Sequence, residues 1–208
     1  MKVQLENLVQ TRIPTAHGDF TLHYFSNNID NKENVAMVKG DVSSAQGIPV
    51  RIHSECFTGD VLGSRRCDCG EQLDMALQMI DKAGRGILIY LRQEGRGIGL
   101  LKKLQAYNLQ DEGLDTVDAN IHLGHLADER EYDIAALILE NLKVKSIALI
   151  TNNPHKIEEL VKLGVQVDKR IPIETYIHGD NKDYLKTKVE KMSHMLSMSG
   201  KNKEMPSK

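Results

Sequence analysis

The chain has 208 residues, enough for one sizeable core, and its 40% hydrophobic and 27% charged content excludes disordered and fibrous classes. A net charge of -2 lacks the basic excess of a nonspecific nucleic-acid binder, although a phosphate-bearing small molecule needs only a local cluster of cations. No stretch approaches the roughly 18 apolar residues of a membrane span, and Met1 to Gln10 lacks the apolar core of a signal peptide, so a cytoplasmic protein away from membranes is expected.

Apolar runs bounded by turn residues predict strands at Phe20–Phe25, Val35–Val38, Val50–His53, Ile87–Leu91 and Ile147–Ile150. Leu73, Ala76, Leu77 and Ile80 share a helical face that Gly84 closes, and Leu100, Leu101 and Leu104 mark a second helix. Ile134, Ala135, Ile138, Leu139 and Leu142 mark a third helix. Ile157, Leu160 and Val161 mark a fourth, closed by Gly164. A Lys-rich helix is expected from about Lys182 to Leu196, and the polar stretch from Ser197 to Lys208 reads as a loose tail. Antiparallel-looking strands come first and alternating strands and helices follow. The expected fold class is therefore α/β with an α+β character: a mixed sheet covered by helices, in one domain over residues 1–196.

The three cysteines are Cys56, Cys67 and Cys69. Three cysteines in a reducing compartment argue against a disulfide framework. A structural zinc site has four protein ligands, whereas three leave a place for water, which zinc can activate near neutral pH. The segment Arg65-Arg66-Cys67-Asp68-Cys69-Gly70-Glu71-Gln72 is too polar for ordinary core. Buried free thiols, or a structural site completed by His53 or another histidine, remain open on spacing alone. Three thiolates donate much charge, so a nearby acid, base or cation is needed to tune the metal's water.

After the predicted strand Ile87–Leu91 comes Arg92-Gln93-Glu94-Gly95-Arg96-Gly97-Ile98-Gly99, then a helix. A glycine loop between strand and helix lets backbone N–H groups approach phosphate, and Arg92 and Arg96 add cationic forks. Glu94 has the acceptors for the N1–H and N2–H₂ edge of guanine. A flexible turn with solvated charges is the competing reading. Asp128 with Glu131 three residues on resembles a capping box for the third helix, although Arg130 in a first helical turn would oppose the helix dipole. Thr116 and Asp118 add polar groups upstream, and His122 and His125 are spare ligands. In Thr151-Asn152-Asn153-Pro154-His155-Lys156, an asparagine suits a helix cap and Pro154 the first helical position, and Thr151 and Lys156 suit phosphate or ribose.

Taken together, Arg51-Ile-His-Ser-Glu-Cys-Phe-Thr-Gly-Asp60, Arg66-Cys-Asp-Cys-Gly70, Arg92-Gln-Glu-Gly-Arg-Gly-Ile-Gly-Leu100, Ala127-Asp-Glu-Arg130 and Thr151-Asn-Asn-Pro154 resemble the GTP cyclohydrolase II family of riboflavin biosynthesis, from about Val3 to Leu196. The resemblance implies that Cys56, Cys67 and Cys69 bind one Zn²⁺ per subunit. It implies GTP contacts at Arg51, Ile52, His53, Ser54, Glu55, Gln72, Glu94, Gly95, Arg96, Thr116, Thr151 and Lys156. Asp128 corresponds to a proton acceptor, Arg130 to a proposed nucleophile and Tyr107 to a tyrosine of the ring chemistry. The implied reaction attacks C8 of guanine, releasing formate, and also releases diphosphate. Mg²⁺ is implied on the substrate phosphates, and a homodimer as the assembly. A guanidinium has a pKa above about 12 and no free lone pair, so Arg130 acts either as a deprotonated nucleophile or as a stabiliser of phosphate charge. Rival readings are a relative that opens the ring without diphosphate loss, and a zinc-stabilised nucleotide-binding regulator. The pattern fills the chain, so a fused dihydroxybutanone phosphate synthase activity is not expected.

Overall fold

Seven strands and seven helices occur among residues 3–198, the part of the chain described by the computed structural model. β1 (Leu5–Thr15), β2 (Gly18–Asn27) and β3 (Asn34–Lys39) form an antiparallel meander. β4 (Ile48–Ser54), β5 (Gly86–Leu91), β6 (Ile147–Ile150) and β7 (Val167–Ile171) make up the parallel half. The order across the sheet is β1-β2-β3-β5-β4-β6-β7. β5 joins the halves, antiparallel to β3 and parallel to β4. β4, β5 and β6 are buried almost continuously, as parallel strands covered on both faces must be.

Alternation of side chains along the strands splits the core in two. On one face Phe20, Leu88, Ile150 and Ile173 pack against Ala76 and Ile80 of α2 (Cys69–Lys82). On the other, Phe25, Ile52, Ile89 and Leu149 pack against α5 (Asp133–Asn141) and α6 (Pro154–Lys162). The connection from β4 to β5 runs through the short turn α1 (Phe57–Asp60) and α2. The connection from β5 to β6 runs through a 3₁₀ turn (Glu94–Gly97), α3 (Gly99–Asp111), α4 (Thr116–His122) and α5. Neighbouring strands thus send their chains to opposite faces, which opens a crevice at their carboxyl ends, where α/β sheets place ligands.

The predicted strands and the four core helices are present within a few residues, and the mixed sheet with helical cover is observed. Two strands escaped prediction. β1 is mostly exposed and β7 is short, half-buried and polar at its centre; both are held by ladder hydrogen bonds at the sheet edges, so they carry little hydrophobic period. α4 was also missed, although Asp115 caps it by accepting from Val117 N–H at 2.8 Å and Asp118 N–H at 3.1 Å. The apolar stripe predicted for α3 points outward: Leu101 and Leu104 are exposed, and Ala106 is the residue buried. The capping box is overturned. Asp128 to Glu131 lie in a loop, and α5 begins at Asp133 after Tyr132. Asp128 turns its carboxylate on Arg130 instead. The last helix, α7 (Lys182–Met192), stops before Leu196 because Ser193 takes a left-handed conformation. Of the expected tail, residues 199–208 lie outside the described residues.

α7 is tied to α2 by one buried ion pair. Lys188 Nζ donates to Asp68 Oδ1 at 2.6 Å, and the Asp68 side chain is fully buried. Removing one member of such a pair strands the other charge, at a cost of about 3–5 kcal/mol. Lys188→Met is expected to lower unfolding stability by about 3 kcal/mol in urea titrations, the lower end of that range, because Gln72 and Thr175 still donate to Asp68.

Candidate active site

The crevice is floored by the carboxyl ends of β4, β5 and β6, and sequence segments far apart converge there. Cys56 follows β4, and Cys67 and Cys69 lie at the start of α2. Their three sulfurs lie within 4.8 Å of one another, with Cys56 and Cys67 at 3.6 Å. Tetrahedral zinc with bonds of about 2.3 Å wants sulfurs roughly 3.8 Å apart, so the donor set fits the ion. A disulfide would need about 2.05 Å, and all three cysteines are free. Among the described residues no histidine joins this group. His53 does not complete it, because its Nε2 is held by the Asp60 carboxylate at 3.0 Å.

Room for a metal is built into the backbone. A Cβ on Gly59 would stand 2.9 Å from Cys67 Sγ and 3.1 Å from Cys56 Sγ. A Cβ on Gly70 would strike the Gly59 carbonyl at 2.3 Å, so α1 lies directly on the first turn of α2. Hydrogen bonds from Cys67 and Cys69, and then the nearby Lys103, draw the Cys56 thiol far down from its usual range. The Cys67 thiol is pushed up to about 11, first by its link to Cys56.

Two buried carboxylates frame the triad, and sequence reading gave neither a role. Asp60 accepts from His53 Nε2, from Tyr90 OH at 2.8 Å and from Cys56 N–H at 3.0 Å. His53 stacks on Tyr90, and burial depresses its pKa, so it serves as a neutral ring. Asp68 accepts from Gln72 Nε2 at 2.5 Å as well as from Lys188.

The opposite wall is cationic. Arg51, Arg96, Arg130, Lys156 and Lys188 all line the crevice. Arg51 donates to Gln72 Oε1 and to the Ile150 carbonyl, and its Nε is buried without a protein partner. Arg96 adopts φ 63°, following Gly95 at 64°, and one of its terminal nitrogens is likewise unpartnered. A left-handed arginine costs about 1–2 kcal/mol, and here the turn aims a guanidinium into the crevice. Gly97 allows Glu129 to approach: a Cβ there would meet its carbonyl at 2.8 Å. That contact carries Arg130 to the crevice, and Asp128, which does not itself line it, pairs with Arg130. Arg130 Nε donates to Asp128 Oδ1 at 2.8 Å, and a terminal nitrogen donates to Oδ2. Burial opposes the charge on Arg130, but Tyr132 and Asp128 outweigh it and raise its pKa further. The Asp128 carboxyl is pulled down by the same pair against its own desolvation.

The remaining predicted residues are mostly brought together here. Ser54, Glu55, Gly95, Tyr107, Thr116 and Thr151 line the crevice. Ile52 does not line it: its side chain is in the core, and only its carbonyl takes part, accepting from Lys156 Nζ at 2.6 Å. Glu94 accepts from Phe57 N–H at 2.6 Å, Gly95 N–H at 2.8 Å and Lys103 Nζ at 2.8 Å. Three of its roughly four acceptor positions are thus filled, which leaves one for a guanine edge rather than two. Tyr107 OH lies 3.3 Å from Thr58 Oγ1, and burial raises its pKa. Lys103, Tyr184, Lys188 and His194 also line the crevice and were missed. In sequence they look like parts of solvated helix faces.

Two outcomes follow from this geometry. Gly59→Ala is expected to abolish stoichiometric zinc binding, measured by metal content after dialysis, while far-ultraviolet circular dichroism stays unchanged. Lys156 is buried and its pKa is driven well below the ordinary lysine value, first by desolvation and then by Arg51 and Arg130. An unfolded lysine titrates near 10.4, so between the two values the unfolded chain binds a proton that the folded one refuses. This group therefore favours folding fully only above about pH 10.4, and that contribution is lost as pH falls toward the folded pKa. The melting temperature of wild type relative to Lys156→Met, measured on the ligand-free proteins, should accordingly rise between pH 7 and 10.

The GTP cyclohydrolase II family model matches residues 6–172. Riboflavin biosynthesis protein RibBA from Chlorobium phaeovibrioides is 51% identical over 195 residues, covering 94% of this chain and 48% of that protein. The protein of the same name from Bacillus cereus is 52% identical over 190 residues, covering 91% and 48%. The chain thus spans about half the length of these curated relatives. A solved structure of RibBX, a two-domain 3,4-dihydroxy-2-butanone 4-phosphate synthase from A. baumannii, aligns with a TM-score of 0.40 at 20% identity over 71% of this chain and 34% of that one, too loose a likeness to bear on the site. On the family match across most of its length, this chain belongs to the GTP cyclohydrolase II family.

Proposed function

We propose that this chain hydrolyses GTP to 2,5-diamino-6-(5-phosphoribosylamino)pyrimidin-4-one, formate and diphosphate, the first step of riboflavin biosynthesis. The observation that carries this reading is the juxtaposition, in one crevice, of a three-sulfur metal group and a wall of five cations. Zinc held by Cys56, Cys67 and Cys69 supplies a Lewis acid and a water activated near neutral pH. The chain's own residues do the rest. Arg51, Arg96 and Lys156 take the triphosphate, with the buried unpartnered nitrogens of Arg51 and Arg96 as ready donors. Glu94 accepts one hydrogen bond from the guanine edge. Tyr107, kept protonated by burial, offers a hydroxyl beside the sulfur group.

At the α-phosphate, water attacks phosphorus, the bond to the diphosphate oxygen breaks and a proton passes to the Asp128 carboxylate. Arg130 stays a guanidinium and stabilises the developing phosphate charge. Its raised pKa and two-pronged bond to Asp128 favour this role over a deprotonated nucleophile. Mg²⁺ accompanies the phosphates and takes few protein ligands. The exposed apolar side chains Val61, Leu62, Leu101, Ile121 and Leu126 support a homodimer, and three free thiols suit a reducing cytoplasm. The catalytic domain in this reading covers residues 1–196. No helix among the described residues is long and apolar enough to cross a membrane.

The test is incubation of zinc-loaded protein with GTP and Mg²⁺, with formate, diphosphate and the pyrimidine measured separately. Equimolar formate and diphosphate are expected from wild type. Cys67→Ser should yield no formate, and Arg130→Ala should lose at least a hundredfold in diphosphate release, the scale of one preorganised charge stabiliser. Intact GTP in the presence of stoichiometrically zinc-bound protein would overturn the assignment.

A further inference from the structure

A metal site made of three thiolates carries one more negative charge than zinc neutralises, and its surroundings decide where that charge is balanced. In this crevice the balance comes from α3. Lys103 Nζ lies 3.0 Å from Cys56 Sγ and 2.8 Å from Glu94 Oε1. Its side chain is 11% exposed, so the charge is largely shielded from water. Glu94 in turn accepts from Phe57 N–H at 2.6 Å, the residue directly after Cys56. The ammonium also lies 5.7 Å from the centre of the Tyr107 ring. One cation thus touches a sulfur directly and braces the same ligand's backbone through a carboxylate.

We propose that Lys103 is a positioning residue of the metal site, donating an N–H···S hydrogen bond to Cys56 and supplying the countercharge that lets three thiolates and zinc coexist in a buried crevice. The inference rests on the reading of the cysteine triad as a zinc site. Three thiolates with Zn²⁺ form a group of net charge minus one. A fixed positive charge beside it favours the metal-bound state. Hydrogen bonds to metal ligands from the surrounding shell characteristically tighten metal binding 10- to 100-fold. Lys102, the neighbouring lysine, makes none of these contacts, so sequence alone gives no means of choosing between the two.

A purely structural role is the competing account: Lys103 would only anchor Glu94. The two separate in measurements on the sulfur itself. Zinc affinity is measured for wild type, Lys103→Met, Lys103→Gln and Lys103→Arg by competition with a chelator of known affinity. The sulfur-to-metal charge-transfer band is recorded for the same proteins loaded with Co²⁺. Lys103→Met and Lys103→Gln are expected to bind zinc 10- to 100-fold more weakly and to shift the band to longer wavelength, because a sulfur lone pair without its hydrogen bond is higher in energy. Lys103→Arg should recover most of both. Glu94→Gln, which loosens the brace but keeps the ammonium at the sulfur, should leave the band in place. Wild-type affinity and an unmoved band in both neutral variants would overturn the proposal, even if wild type binds zinc and turns over GTP. A wild type that binds no zinc at the cysteines would instead remove the reading on which the proposal rests. Two neutral variants of different shape keep the test decisive if one fails to fold.

Discussion

The site depends on two carboxylates buried beside the cysteines. Asp60 binds a strand-borne histidine, a strand-borne tyrosine and the amide of Cys56 at once. Asp68 sits between two of the cysteines and binds α2 through Gln72 and α7 through Lys188. A buried carboxylate without such partners would be costly enough to neutralise itself. Fully bonded, each becomes a rigid joint. The loops bearing the sulfurs gain fixed positions from them, and Gly59 and Gly70 then permit the approach that brings the sulfurs into range.

The cationic wall works by the opposite logic. Arg51, Arg130 and Lys156 lie close together in a poorly solvated crevice, and burial followed by that repulsion lowers the pKa of Lys156. Unpartnered donors and like charges destabilise the ligand-free protein. Under the proposed function they are also what an anionic substrate would relieve on binding. Only Arg130 and Lys188 are fully compensated from within, by Asp128 and Asp68.

How legible this was depends on the kind of signal each part leaves. Strands β4, β5 and β6 announce themselves because both faces are covered and the apolar runs are unbroken. β1 and β7 are held by backbone pairing at sheet edges, which leaves no apolar period to detect. The triad and four of the five cationic residues, Lys188 excepted, stand out only through assembled motifs, since each segment alone also fits a cap, a turn or a solvated loop. Asp128 shows the difference: its spacing to Glu131 fits a capping box, yet the pairing with Arg130 prevails. Lys103, Tyr184 and His194 reach the site only because α3 and the end of the chain fold over it, a fact of topology that no local pattern carries.

The ion pair between Asp68 and Lys188 has a temporal side. Its partners are 120 residues apart in the chain. Closing so long a loop has an entropic cost that must be met before the contact can form, which favours late formation. The segment between the second and third cysteines is then expected to gain its countercharge only when α7 docks. Order in the cysteine-bearing loops would thus arrive at the end of folding, after the sheet that carries them is complete.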